Sequence, residues 1–82
     1  MSEIAEKIKG MIVERLFLDV EPSEIDEHEN LMERYEVDSV RLFEVVIGLE
    51  ELFEITFEDD EFDAQKFSTI AGIEEVVKNK LG

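Results

Sequence analysis

The sequence has no cysteine, no tryptophan and only one proline among its 82 residues. Without cysteine there is neither a disulfide nor a thiolate metal site, which suits a reducing compartment and points to the cytoplasm. No apolar run approaches the ~18 residues that would cross a bilayer. The N-terminus lacks a basic stretch followed by an apolar one, so neither membrane insertion nor a secretion signal is expected. Positive charge is scarce: 8 Lys and Arg stand against 23 Asp and Glu, a formal net charge of −15. Such a chain repels phosphate backbones and anionic lipid, so nucleic acid and membrane surfaces are poor partners. Proteins that present Arg and Lys are good ones. Charge alone fits equally well a protein that is simply acidic and well solvated.

What is present is helical periodicity. Ile4, Ile8, Met11, Ile12 and Leu16 recur at helical spacing, with Glu3, Glu6, Lys7, Lys9 and Glu14 mostly on other faces. This predicts a first helix, with Ser2 as its cap, that runs through Gly10 to about Phe17. From Leu18 to Asp38 the pattern fades around Pro22-Ser23. A structureless segment of that length is uncommon in a compact domain. Val20, Ile25, Leu31, Met32, Tyr35 and Val37 are spread along it and are expected to pin it as an ordered crossover. His28 has no second histidine or cysteine to share a metal, and no third group at the spacing of a catalytic set. A solvated loop position is its expected place.

The chain turns on Glu36-Val37-Asp38-Ser39-Val40. Asp and Ser are residue types that cap helices, because a side-chain oxygen can accept a bond from an unpaired N–H of the first turn. The run from Val40 to Phe53 has no proline, and Gly48 is its only weak helix former. Leu42, Val45, Val46, Leu49, Leu52 and Phe53 share one broad side, the expected core face. Val40, Phe43 and Ile47 form a second apolar stripe on roughly the opposite side, flanked by Glu44, Glu50, Glu51 and Glu54. Folding alone gives no reason for an apolar strip edged with carboxylates; docking of basic partners does.

Beyond this helix, Ile55-Thr56-Phe57 reads as a short extended turn. Glu58 to Asp63 has the acidity of a calcium loop but neither its glycine nor its alternating oxygen ligands, so no metal site is expected. Asp59 and Asp60 instead suit the start of a short helix to about Phe67, anchored by Phe62 and Phe67. Ser68-Thr69 supplies the next cap. Ile70, Ile73, Val76, Val77 and Leu81 give the last helix its apolar face, with Lys78, Lys80 and Gly82 closing it. The sum is one all-α domain over residues 1–82. It is a small four-helix bundle of three long helices and one short, with a long crossover between the first and second.

Ser39 has no glycine-bearing elbow, base or oxyanion donor around it, so self-catalysis is not expected and the chain is not read as an enzyme. The alternatives are a plain capping serine or a serine modified by another enzyme, whose phosphate would meet a helix N-terminus. Asp38-Ser39-Val40, the closing Leu49-Glu50-Glu51-Leu52-Phe53 and the entry Phe67-Ser68-Thr69-Ile70 together resemble the acyl carrier protein family. The likeness extends along essentially the whole chain.

The resemblance implies that Ser39 carries 4′-phosphopantetheine through a phosphodiester, placed there from coenzyme A by a phosphopantetheinyl transferase with Mg²⁺. It implies that Asp38 orients the arm and the transferase metal. Glu44, Glu50 and Glu51 would be the acidic docking patch, with Val40, Phe43 and Ile47 as its apolar contacts and Arg41 among them. Val45, Leu49, Phe53, Ile55 and Phe62 would line an acyl pocket. Such a carrier is expected to be a monomer that serves acyl-loading and acyl-processing enzymes of fatty acid, lipid or secondary-metabolite synthesis. Three positions depart from the family pattern: Glu36 stands where glycine is frequent, Val40 where leucine is commonest, and Arg41 where fatty-acid carriers tend to be acidic. They imply a dedicated member rather than the housekeeping one. A D-alanyl or peptidyl carrier shares the architecture, and an acidic mimic that blocks a basic site is the alternative from another class.

Overall fold

A computed structural model describes residues 3–82, all helix and connecting turns. Four α-helices follow in order: α1 Glu3–Arg15, α2 Leu31–Arg34, α3 Ser39–Phe53 and α4 Ile70–Leu81. Short 3₁₀ turns at Pro22–Glu24, Asp59–Glu61 and Lys66–Ser68 punctuate the connections. Three long helices and one short one agree with the expectation from periodicity. The cap expected at Ser2 lies outside the described residues.

α1 packs against both α3 and α4. It therefore buries a wider arc than one stripe: Ala5, Ile8 and Ile12 are fully buried, and so is Lys9, which the sequence pattern places toward solvent. The helix stops at Arg15, two residues before the expected end. Leu16 N–H donates to the Ile12 carbonyl and Leu18 N–H to the Val13 carbonyl. That pairing requires a left-handed residue between them, and Phe17 is that residue, with φ 55°.

The crossover is ordered, as its scattered apolar residues require. Ile25, Leu31 and Val37 are buried, while Val20, Met32 and Tyr35 pack partly against the core. Glu27 accepts from Ala71 N–H at 2.9 Å and so fastens the crossover to the start of α4. The short helix lies here, at α2, rather than over residues 59–67. Asn30 opens it, its Oδ1 accepting from Met32 N–H and Glu33 N–H at 2.9 and 3.2 Å. Residues 59–67 instead form two separate 3₁₀ turns. In the first, Glu58 and Glu61 satisfy each other's backbone N–H groups reciprocally, and Phe62 is already extended. With its orphan donors met in one turn, nothing propagates a helix.

Phe62 and Phe67 do anchor this segment. Phe67 is fully buried, and the rings of Phe62 and Phe67 stack with centroids 5.5 Å apart. Thr69 caps α4 through a 3.0 Å bond from Gly72 N–H.

Candidate functional site

The site is built on the first turn of α3. Asp38 is its N-cap, with Oδ1 accepting from Arg41 N–H at 2.9 Å. Ser39 is consequently the first helical residue rather than the cap. It is exposed, and its hydroxyl has no hydrogen-bond partner among the described residues. Of the two capping types side by side in the sequence, the aspartate does the capping and the serine stays uncommitted. Two conditions for an attachment point, reach and freedom from other duties, are therefore met.

The turn that delivers this pair is unusual. Glu36 has a left-handed backbone, φ 53°, directly before buried Val37. Glycine adopts this conformation without penalty, whereas the glutamate here carries the steric cost of its Cβ. Arg41, two residues after Ser39, is half-buried and donates from Nη2 to the Leu16 carbonyl at 2.7 Å. Its charge is thus tied to the end of α1, and it links the chain just after α1 to the start of α3.

Along α3 the faces separate as the spacing predicts, with one exception. Leu42, Val45 and Leu49 are fully buried, and Val46 and Phe53 are partly so. Leu52, expected in the core, is exposed. It lies on the edge of the buried arc, lining an open surface pocket with Lys7, Gly10 and Met11 of α1. The second stripe is open to solvent: Val40 is 72 %, Phe43 51 % and Ile47 43 % exposed. Phe43 is also stacked on Phe62, with centroids 4.5 Å apart.

The acidic flank is less free than its composition suggests. Arg15 donates from Nη1 to Glu44 at 3.2 Å and from Nη2 to Glu51 at 2.6 Å. Glu50 accepts from Phe57 N–H at 2.8 Å and holds the turn after α3. Arg15 was not legible as a site residue. A lone cation at the end of a helix gives no sign of which carboxylates it will meet across the bundle.

An apolar cleft of about 320 Å³ opens between α3 and the 57–62 segment. Phe43, Val46, Ile47, Phe57 and Phe62 line it, together with Glu50, Glu58 and Asp59. Of the five residues expected around an acyl chain, only Phe62 faces this cleft. Val45 and Leu49 have no exposed surface, and Phe53 and Ile55 are packed partly against the core.

The start of α3 is chemically suited to a phosphodiester. Unpaired N–H groups and the positive end of the helix dipole meet any anion placed on Ser39. Comparison with known proteins agrees. A family model described as "Phosphopantetheine attachment site" matches residues 6–77. The acyl carrier protein of Chlamydia caviae is 33 % identical over 79 residues, which covers 96 % of this chain and 97 % of that protein. The acyl carrier protein of Chlamydia felis is likewise 33 % identical over 79 residues, with 96 % of each chain covered.

Proposed function

This chain belongs to the acyl carrier protein family, the bearers of a phosphopantetheine attachment domain, and from that membership we propose that Ser39 is the residue that bears the arm. Acyl carriage is the family's function, and covalently attached 4′-phosphopantetheine is its cofactor. When bound, the group supplies a terminal thiol that holds acyl cargo as a thioester. The observation that carries the assignment is the division of labour at the helix start. Asp38 meets the cap requirement, so the exposed Ser39 hydroxyl is unpartnered and available to a transferase.

The protein's own residues present the group rather than react with it. Ser39 fixes the root of the arm at the helix N-terminus, where its phosphate is electrostatically favoured. Asp38, still carrying a free carboxylate oxygen's charge beside it, is placed to help position the transferase metal. Val40, Phe43 and Ile47 offer an apolar contact on the same helix, edged by Glu44, Glu50 and Glu51. An interface of this kind favours rapid, steered and reversible docking over tight binding. The covalent arm keeps the cargo at high effective concentration while the partner enzymes change.

Phosphopantetheinyl transferase and acyl-processing enzymes are the partners of the family. We assign basic docking patches to those that serve this chain, and a monomeric cytoplasmic carrier to its working state. The acyl pocket is proposed to start at Phe62, which already faces the cleft. Val45, Leu49, Phe53 and Ile55 become accessible to a chain only as core contacts part. Arg41, cationic and two residues from Ser39, supports a dedicated pathway over general fatty acid synthesis.

Intact-mass measurement tests the attachment. Incubation with coenzyme A, Mg²⁺ and a promiscuous phosphopantetheinyl transferase is expected to add one phosphopantetheine to the wild type and none to Ser39→Ala. A gain that persists in Ser39→Ala would remove the assignment.

A further inference from the structure

Gly48 is a poor residue for the middle of a helix, yet it stands in the middle of α3 and is buried. The space a side chain would need is occupied. A Cβ there would lie 2.5 Å from Met11 Sδ, and 2.7 and 2.8 Å from Arg15 Nε and Cδ. The Arg15 stem crosses α3 over Gly48, and its guanidinium reaches Glu44 on one side and Glu51 on the other. The side chain is 29 % exposed, against 54 % and 67 % for its two partners. The cation is thus seated from within the fold, while both carboxylates still face solvent.

We propose that Arg15 is an internal competitor for the docking face: it occupies Glu44 and Glu51 as a partner's arginine or lysine would, and so sets which basic partners this carrier accepts. The inference rests on the reading of α3 as the docking helix that leads from Ser39. The incoming cation it selects is one that can displace an exposed ion pair. Each such pair is weak, so the device acts as a filter and not as a block. A weakly basic surface gains little by exchanging its hydration for carboxylates already neutralised. A strongly basic one, or one that places its charge on the open side of Glu44, still docks. Glycine at position 48 is what allows this arrangement, because any larger residue would lift the stem off the helix.

The test uses the apo protein, coenzyme A, Mg²⁺ and a phosphopantetheinyl transferase with a basic carrier-binding surface, with initial rates read by intact mass. Arg15→Gln is expected to lower KM for the carrier about 2- to 30-fold with kcat unchanged, the range that two exposed ion pairs span. It should also steepen the fall of kcat/KM with added salt. Lys78→Gln makes the same charge change on α4, away from α3, and is expected to shift KM by less than half as much. Arg15→Met keeps the aliphatic stem over Gly48 and should follow Arg15→Gln. It separates the charge from packing should the glutamine variant melt early. An unchanged or raised KM in Arg15→Gln and Arg15→Met, or an equal fall in Lys78→Gln, overturns the proposal.

A wild type that gains no mass defeats the Ser39 assignment instead. Arg15 is then judged by titrating a tri-arginine peptide while following the Glu44 and Glu51 amide resonances. Tighter binding at those two residues in Arg15→Gln supports the competitor role, and equal binding overturns it.

Discussion

Phe17, Glu36 and Glu54 all have left-handed backbones, with φ of 55°, 53° and 54°. A residue with a Cβ is disfavoured there. Phe17 is the most costly of the three, since the bulky side chain it carries is 89 % exposed and gains almost nothing from packing. Glycine removes the backbone penalty but loses more entropy on folding, so the two effects partly cancel. Phe17→Gly should therefore stabilise the fold by roughly 0.5–1 kcal/mol and raise the melting temperature by a few degrees. A thermal melt that shows destabilisation would mean that the ring makes a contact worth more than the strain. The opposite substitution separates the sites where glycine is required from those where it is incidental. A Cβ on Gly72 would press against the Lys66 carbonyl oxygen, a backbone atom that cannot swing away. Gly72→Ala is expected to cost about 1–3 kcal/mol despite alanine's better helix propensity, as denaturant unfolding would measure.

At the scale of elements, α3 depends on its cap. Asp38→Ala removes the 2.9 Å bond to Arg41 N–H and should cost about 1 kcal/mol. Asparagine caps as well as aspartate, so Asp38→Asn should melt within a degree or two of wild type. If the carboxylate also helps the transferase metal, the same variant should lower the kcat of modification by an order of magnitude or more. Equal kcat values would leave Asp38 with structural work only. The long helices are legible because each repeats an apolar residue over several turns, whereas the choice of Asp38 over Ser39 as the cap of α3 is not, since both are capping types. α2 was not legible either, since Leu31–Arg34 is a single turn and four residues cannot display a period. Its one available sign was Asn30 followed by Glu33, a capping spacing. The helix expected after Asp59 failed for the converse reason. Asp59 and Asp60 suit a helix start, but Glu58 and Glu61 close their own turn and Phe62 leaves it to stack on Phe67. The exposed stripe of Val40, Phe43 and Ile47 was legible from spacing, whereas the pairing of Arg15 with Glu44 and Glu51 depends on how two helices cross and has no local signature.

Across the whole molecule the net charge of −15 governs the response to solution conditions. Arg15, Arg34, Lys66, Lys78 and Lys80 already lie within ion-pair distance of a glutamate, and with 23 carboxylates against 8 Lys and Arg most carboxylates have no cation of their own. Glu61 is among those that do have a cationic partner. Hydrogen bonds from the Lys80 amine and from Glu58 N–H hold its carboxyl below the ordinary glutamate range, and the 2.7 Å pair joins the 3₁₀ turn to α4. A depressed pKa in the folded state contributes stability that is complete above the ordinary value and is lost as pH falls through the lowered one. The contribution of this pair should therefore be complete at neutral pH and lost as pH falls below the ordinary glutamate range, and Glu61→Gln should make that acid-side fall shallower. Repulsion predicts that salt raises the melting temperature at neutral pH. Among the described residues no cluster of three or more His, Asp or Glu is arranged to hold a metal ion, so magnesium should act by diffuse screening. Magnesium and sodium chloride compared at equal ionic strength should then give similar increases, with magnesium modestly ahead because of its higher valence. A saturable rise at stoichiometric magnesium would instead require a defined site, and no rise in either salt would mean that self-repulsion is not what limits this fold.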